Sequence, residues 1–361
     1  MHLSTTAPPV DARQDGRVRA LTYDRFGGSI IVSDIAEPTP PPRGVVVAVE
    51  AAGLCRSDWH GWQGHDADIA AFPHVPGHEF AGRIAALGDG VTGFALGERV
   101  TAPFVQACGD CPTCAAGDGQ VCPHQRQPGF SDPGCFAERV VVHAAETNLV
   151  RLPDAVGVRE AAGLGCRVAT AFRGVVHRGR VCPGEWLLVI GCGGVGLAAV
   201  AIGVAAGARV VAVDVADASR TRARELGAEI TLSPAELACA PELTGGGAHV
   251  GVDALGSPEA LAGSLASLRR RGRHVQIGLL PDATTPVPMG PVIARELDVL
   301  GSHGMAASAY AELLAWVADG RLDLGALVAP GEPLTLAEAA AALPRLGNAA
   351  SRGVVLVDPR R

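Results

Sequence analysis

Short apolar runs along the chain predict strands, and in the second half these runs alternate with stretches of helical character. Two early runs, Arg17–Tyr23 and Gly44–Glu50, predict strands separated by the proline-rich loop Pro38–Pro42. Later, the runs Trp186–Ile190 and Arg209–Val213 are separated by an apolar stretch that predicts a helix. Alternation of this kind predicts an α/β domain with a parallel sheet.

The alternation continues toward the end of the chain. The polar residues 1–16 predict a flexible tail, and Arg269–Arg271 are predicted to end a helix, where cations favour the negative end of the helix dipole. The other predicted elements are strand Arg139–His143, helix Ala161–Arg173, strand His249–Ala254, helix Pro258–Arg270, strands His274–Gly278 and Leu297–Gly301, helices Ala307–Asp319 and Leu336–Leu346, and strand Gly353–Val357.

Composition narrows the class of protein. The 361 residues are 48% hydrophobic and include 47 glycines, which favours a two-domain α/β enzyme. A formal net charge of −7 argues against a nucleic-acid partner. We see neither a signal peptide nor an apolar run long enough to span a membrane. Without a secretory signal, ten cysteines predict a cytoplasmic protein that binds metal rather than forming disulfides.

Four cysteines within 15 residues form the most specific motif. Cys108, Cys111, Cys114 and Cys122 can close a tetrahedral thiolate site, and the glycine and proline between them permit the necessary turns. A disulfide pair is the alternative, but a reducing compartment disfavours it. Because all four ligands come from the protein, we predict a structural zinc that holds this lobe together.

A second candidate metal set is scattered along the chain. Cys55, His78 and Cys166 would give the three ligands of a catalytic zinc, with a fourth position open. Alone the signal is weak, because ten cysteines offer many such triples and a histidine beside Glu79 is more often a surface pair. Cys166 alone would more often be a buried core residue.

A glycine-rich stretch follows the strand Trp186–Ile190 directly. The sequence Gly191-Cys192-Gly193-Gly194-Val195-Gly196 opens a helix, which is the context that a dinucleotide-binding motif requires. Its glycines would let the backbone approach a pyrophosphate at the helix N-terminus. Asp214, at the end of the next strand, can accept both ribose hydroxyls of NAD, although nearby Arg220 leaves some use of NADP open.

In order and spacing, these motifs resemble the zinc-dependent alcohol dehydrogenases of the medium-chain dehydrogenase/reductase superfamily. The resemblance runs from about Arg17 to Val357 and is carried by Gly77-His78-Glu79, the four-cysteine lobe and the glycine motif. It implies a GroES-like β-rich catalytic domain at 17–167, a doubly wound Rossmann NAD-binding domain at 168–303, and a return to the first domain at 304–361. The implied activity is zinc-dependent transfer of hydride between a primary or secondary alcohol, with aromatic alcohols included, and NAD, giving an aldehyde or ketone, and the reverse.

The resemblance also implies roles for single residues around the zinc. Cys55, His78 and Cys166 would bind it, Asp58 would hold the histidine ring, and Glu79 would lie close enough to approach the metal.

Further roles follow from the same resemblance. Ser57 would take the alcohol proton and His60 would release it at the surface. Cofactor contacts beyond the glycine motif, Asp214 and Arg220 are implied for Arg56, Ile277, Leu279 and Arg352, and a substrate pocket for Phe104, Phe130 and Leu279.

Three other functions stay open. They are a polyol or amino-alcohol dehydrogenase, a reductase of activated C=C or C=N bonds, and a non-catalytic NAD-binding sensor. A cysteine at position 166 favours the alcohol branch, since the polyol branch tends to use a carboxylate there, and a sensor would need no open zinc position. The short chain after Cys122 resembles compact forms and favours a homotetramer over a dimer.

Overall fold

The computed structural model describes residues 16–281, 284–348 and 352–361, so all of the predicted tail except Gly16 lies outside the described residues. The strands are β1 (Arg17–Thr22), β2 (Ile31–Ala36), β3 (Val45–Leu54), β4 (Phe80–Leu87), β5 (Arg99–Thr101), β6 (Arg139–Val142), β7 (Val150–Arg151), β8 (Trp186–Ile190), β9 (Arg209–Val213), β10 (Ile230–Leu232), β11 (Ala248–Asp253), β12 (Leu268–Gln276), β13 (Asp298–Gly301) and β14 (Val355–Val357).

The helices are mostly short. They are α1 (Arg56–Gln63), α2 (Pro112–Ala115), α3 (Ala145–Asn148), α4 (Val158–Ala161), α5 (Ala169–Phe172), α6 (Gly194–Ala205), α7 (Asp217–Glu225), α8 (Ala240–Leu243), α9 (Pro258–Ser267), α10 (Met289–Arg295), α11 (Tyr310–Ala318) and α12 (Leu336–Ala342). Two π-helical segments, Leu164–Val168 and Arg173–Arg178, extend α5 at both ends. Within the described chain, none of the helices has the length and apolarity needed to cross a membrane.

Antiparallel strands build the first half of the molecule. β1 and β2 form a two-stranded sheet, and a larger sheet has the order β14-β3-β4-β5-β7, with β6 also paired to β3. The valines of β3 are buried on both faces of the strand, which makes it the centre of this core. β14 comes from the end of the chain, so the last strand returns to the first sheet.

Parallel strands build the second half. Their order is β10-β9-β8-β11-β12-β13, and every neighbouring pair is parallel. This is the strand order of the doubly wound dinucleotide-binding fold, with the reversal of order beside β8. The glycine motif follows β8 and opens α6, at the edge where such folds bind their ligand.

The structure corrects the prediction for the arginine tract. α9 ends at Ser267, and Arg269–Arg271 lie in strand β12 instead of ending a helix. Leu268 pairs with Ala248 of β11 and is 2% exposed, so sheet pairing and burial outweigh continuation of the helix.

Candidate active site and metal centres

The register of β3 and β4 brings two parts of the predicted zinc site together. Ala52 pairs with Phe80, so the residue after β3 and the residues before β4 lie side by side. Cys55 follows β3 directly, and His78 and Glu79 precede β4. All three are buried, and the Cys55 sulfur, a His78 ring nitrogen and a Glu79 oxygen lie within 4.8 Å of one another.

Cys166 approaches Cys55 from the helical segment Leu164–Val168, although it lies outside the group of Cys55, His78 and Glu79 ligand atoms that are all within 4.8 Å of one another. Gly165 allows this approach, since a Cβ there would lie 2.8 Å from the carbonyl oxygen of Ala102 and 3.6 Å from the Cα of Glu79. The neighbouring Cys166 thiol lowers the pKa of Cys55 well below its usual value, and the Cys55 thiol together with burial raises the pKa of Cys166. The pair is thus prepared to hold a thiolate.

Asp58 holds the His78 ring and the backbone of Cys55. Its Oδ1 lies 2.8 Å from Nδ1 of His78, and its Oδ2 accepts from the backbone N–H of Cys55 at 2.9 Å. Burial alone would lower the pKa of His78, but the Asp58 carboxylate and Cys55 together outweigh it and raise that pKa well above the ordinary value. With Nδ1 occupied by Asp58, Nε2 is the ring nitrogen left for a metal, the arrangement common for ligating histidines.

Arg167 is a site residue that the sequence reasoning missed. It is 4% exposed and binds Glu79 with its backbone N–H at 2.8 Å and its guanidinium at 2.5–3.0 Å. Burial raises the pKa of Glu79, while the guanidinium opposes that shift. The available signal is a single arginine, directly after a candidate ligand, in the otherwise uncharged stretch 161–172.

Ser57 and His60 lie on α1, which Cys55 caps. The Ser57 hydroxyl oxygen lies 3.8 Å from the Cys55 sulfur. His60 is exposed, and its Nδ1 lies 3.0 Å from Nδ1 of His65, with the Trp59 ring packed against both imidazoles. Partial shielding from water and the neighbouring His65 lower the pKa of His60.

Aromatic rings border the His78 ring. The rings of Phe104 and Phe130 lie 6.1 and 5.2 Å from that of His78, and His303 packs edge-on against Phe104 at 5.4 Å. Leu279, also predicted for the pocket, is 86% exposed, and its backbone lies against Gly256. The structure therefore brings two of the three predicted pocket residues beside His78.

The four-cysteine motif forms a compact sulfur cluster. Four of the six separations between Sγ atoms of Cys108, Cys111, Cys114 and Cys122 run from 3.4 to 3.9 Å, and all six are within 4.8 Å. A tetrahedral site with Zn–S bonds of about 2.3 Å has sulfur–sulfur edges of about 3.8 Å, so the cluster fits zinc, whereas disulfide sulfurs are about 2.05 Å apart. A hydrogen bond from the backbone N–H of Cys114 and the neighbouring thiols lower the pKa of Cys111 to about 6.

The glycine motif forms the tight turn that its sequence predicts. Gly191 has φ +88°, and a Cβ on Gly196 would overlap the carbonyl oxygen of Gly191. The position of a Cβ on Gly193 faces open space, while the first turn of α6, with Gly194 and Val195, has backbone N–H groups without intrahelical acceptors. This cradle fits a pyrophosphate.

Asp214 stands at the end of β9 beside this cradle. Its carboxylate accepts from the backbone N–H groups of Cys192 and Ala216, both at 2.8 Å. Arg220 donates to the Asp214 carbonyl at 2.5 Å and also bonds Asp217, so it is held next to the carboxylate.

The remaining predicted cofactor residues are more dispersed. Arg56 is exposed and donates to the Gly347 carbonyl at 2.6 Å, and Arg352 is exposed near β14. Ile277 packs against the helical segment Arg173–Arg178, where a Cβ on Gly174 would lie 2.5 Å from its Cδ1.

Comparison with known proteins agrees with the architecture. The model for the alcohol dehydrogenase GroES-like domain matches residues 41–154, and that for zinc-binding dehydrogenases matches residues 194–319. An alcohol dehydrogenase of Geobacillus stearothermophilus is 31% identical over 87% of this chain and 93% of its own.

Solved structures show the same fold. An alcohol dehydrogenase from E. coli CFT073 complexed with NADH aligns with a TM-score of 0.83 at 26% identity, covering 95% of this chain and 99% of that one. A zinc-binding dehydrogenase from Sinorhizobium meliloti 1021 bound to NADP aligns with a TM-score of 0.84 at 29% identity, again covering 95% and 99%.

These matches confirm the predicted fold class and family. The chain belongs to the zinc-dependent alcohol dehydrogenases of the medium-chain dehydrogenase/reductase superfamily, and it is an oxidoreductase that works with zinc and a nicotinamide cofactor.

Proposed function

We propose that this enzyme transfers hydride between a primary or secondary alcohol, including aromatic alcohols, and NAD. One observation carries the proposal: the buried thiol of Cys55 has both the Cys166 thiol and the His78 ring as neighbours, and the aromatic rings of Phe104 and Phe130 lie beside His78. Two soft ligands and an imidazole suit a catalytic zinc, and the apolar rings suit an alcohol with an apolar side chain.

Two zinc ions per chain belong to this proposal. Cys55, His78 and Cys166 would hold the catalytic ion, and the four-cysteine cluster would hold the structural one, as its sulfur separations support. When bound, zinc lowers the pKa of an alcohol and the nicotinamide accepts its hydride. Asp58 orients the His78 ring, and the phenylalanine rings exclude water from the reacting carbon.

Ser57 and His60 would carry the proton away. The Ser57 hydroxyl lies beside Cys55 and is placed to accept the alcohol proton. His60 is exposed on the same helix, and its contact with the His65 imidazole offers a second group that can exchange the proton with solvent.

The glycine motif and Asp214 would bind the cofactor. The open space at Gly193 would take the pyrophosphate, with Arg56 and Arg352 as countercharges, and Ile277 and Leu279 would border the nicotinamide half. Asp214 favours the free ribose hydroxyls of NAD. Arg220, held beside it, leaves use of NADP open.

Polyol oxidation is the second candidate. It is favoured by the Glu79 carboxylate, which lies as close to Cys55 and His78 as a metal ligand would. The Arg167–Glu79 ion pair and the thiol at position 166 favour the simple alcohol.

We also propose a homo-oligomer, with a tetramer favoured, in the cytoplasm. β13 ends the parallel sheet, and Val299 on this edge is 40% exposed, which supports pairing with a second copy. All ten cysteines are free, two of them exposed, which supports a reducing compartment. We also propose that the Rossmann domain extends from residue 168 to residue 303.

The test is nicotinamide reduction by zinc-replete protein, with NAD and NADP in parallel and a panel of primary, secondary, aromatic and polyol substrates. Turnover of simple or aromatic alcohols with NAD, lost on chelation, is expected. Preference for polyols would favour the second candidate. Silence across the panel, with both zinc ions bound, would contradict both.

A further inference from the structure

The Glu79 carboxylate poses a problem for an open zinc site. One of its oxygens lies within 4.8 Å of both the Cys55 sulfur and a His78 nitrogen, close enough to become a ligand after a small shift. With Cys166 as well, a zinc ion would then have four protein ligands. Such a site is closed, and a closed site leaves no position for an alcohol.

Arg167 holds this carboxylate from the other side. Nε of Arg167 donates to both carboxylate oxygens of Glu79, at 3.0 and 2.8 Å, and Nη2 donates to Oε2 at 2.5 Å. The backbone N–H of Arg167 adds a further bond to Oε1 at 2.8 Å. Bonds between ionised partners in this forked geometry are strong and directional, so the carboxylate is turned toward the guanidinium.

Two glycines leave the space that the Arg167–Glu79 pair occupies. On strand β3, a Cβ at Gly53 would overlap Oε2 of Glu79 and lie 2.6 Å from Nη2 of Arg167. On helix α6, a Cβ at Gly194 would overlap Cδ of Arg167. The ion pair therefore fills space that side chains on either wall would occupy, and Arg167 has little room to move.

We propose that Arg167 is a positioning residue, which keeps Glu79 off the catalytic metal and so preserves its open coordination position. The inference rests on the proposed function, because it concerns the zinc ligated by Cys55, His78 and Cys166. Arg167 acts through Glu79 and need not touch the substrate.

The charge of Arg167 would also act directly on the metal ion. A buried cation beside a metal repels it, so removing the charge would strengthen metal binding even if Glu79 never moved. Repulsion alone acts equally whether position 79 is Glu or Gln. Positioning acts only when Glu79 can become a ligand.

The experiment compares R167Q, E79Q and the double variant R167Q/E79Q with the wild-type holoenzyme. Zinc transfer to a chromogenic chelator is followed by absorbance, and Co²⁺-substituted protein reports the ligand set through its visible spectrum. R167Q is expected to slow release of the catalytic zinc by about tenfold and to change the cobalt spectrum, because Glu79 joins the ligands. In the E79Q background the same substitution should change neither.

A folded R167Q with wild-type release and spectrum would overturn the inference, and so would an equal effect of R167Q in both backgrounds. Should R167Q not fold, R167K and R167K/E79Q replace it, since lysine keeps the charge but not the forked contact. The control R139Q removes another buried, paired arginine, bound to Glu37 at 3.3 Å, and should leave release unchanged. Wild-type protein that binds no zinc at Cys55, His78 and Cys166 would defeat the proposed function itself, a result distinct from all of these.

Discussion

The two candidate metal clusters in this enzyme are built in opposite ways. Cys108, Cys111, Cys114 and Cys122 come from one short segment, and two of them are partly exposed. The proposed catalytic set comes from three separate elements and is buried, with Asp58 and the Arg167–Glu79 pair packed around it. A closed site needs only its four ligands, whereas an open site also needs neighbours that orient some groups and hold others away.

Among the substitutions at the two clusters, Cys166→Ala should have the largest effect. It should lower kcat/KM for an alcohol by on the order of 10³-fold or more, because the zinc chemistry is lost. Zinc content should fall from two per chain to one, with the thermal midpoint nearly unchanged. Elemental analysis and steady-state kinetics measure both, and the exposed Cys239→Ala serves as the control. Retention of both zinc and turnover would exclude Cys166 from the ligand set.

Cys111→Ser should have the opposite signature. Loss of the structural zinc should destabilise the lobe by on the order of 5 kcal/mol, since loss of a metal is among the most damaging changes to a fold. Thermal unfolding and limited proteolysis within 108–122 would report it. Cys182→Ser, at another exposed thiol, is the matched control. A variant with two zinc ions and unchanged stability would count against a structural role for the cluster.

Ser57→Ala should spare both zinc ions and slow alcohol oxidation by about 10²-fold, the usual size of a lost proton-transfer group. Ser57→Thr keeps a hydroxyl and should recover part of the rate. Reduction of an activated double bond should not depend on Ser57. Unchanged alcohol oxidation by the alanine variant would remove Ser57 from the proton route.

Asp58→Asn should have the smallest effect of these substitutions. It keeps the shape of the side chain but removes the charge that holds His78, and should weaken zinc binding at the catalytic site by about 10-fold or somewhat more. Competition with a chelator measures the affinity. Asp358→Asn, which loses a pairing with Arg360 instead, should leave the affinity unchanged, and equal behaviour of the two variants would contradict the role of Asp58.

The same contrast explains what the sequence could predict. The cysteine lobe and the glycine motif were readable because spacing within one segment determines their geometry. The scattered set Cys55, His78 and Cys166 was recognised through resemblance, since chain spacing alone does not bring β3, β4 and the helical segment at Leu164 together.

Features that depend on tertiary contacts were missed. Arg167 contacts Glu79, which lies 88 positions earlier in the chain. Its role therefore depends on the packing of the helical segment Leu164–Val168 against the start of β4. The local pattern of the β12 arginines continues that of α9 and so predicts a helix, whereas in the structure Leu268 pairs with Ala248 of β11. Strand β2 mixes Ser33 and Asp34 with apolar residues, so its sequence carries no clear strand signal, and the structure pairs it with β1.

The most direct test of the two-centre account is stepwise chelation of the wild-type enzyme. Zinc release, alcohol-dependent NAD reduction and proteolysis of the lobe are followed on the same sample. We expect two separable zinc ions: loss of one ends NAD reduction while the lobe stays protease-resistant, and loss of the other exposes the lobe. Release of zinc in one step that ends activity and opens the lobe together, or full activity after the first zinc has gone with the lobe intact, would contradict it.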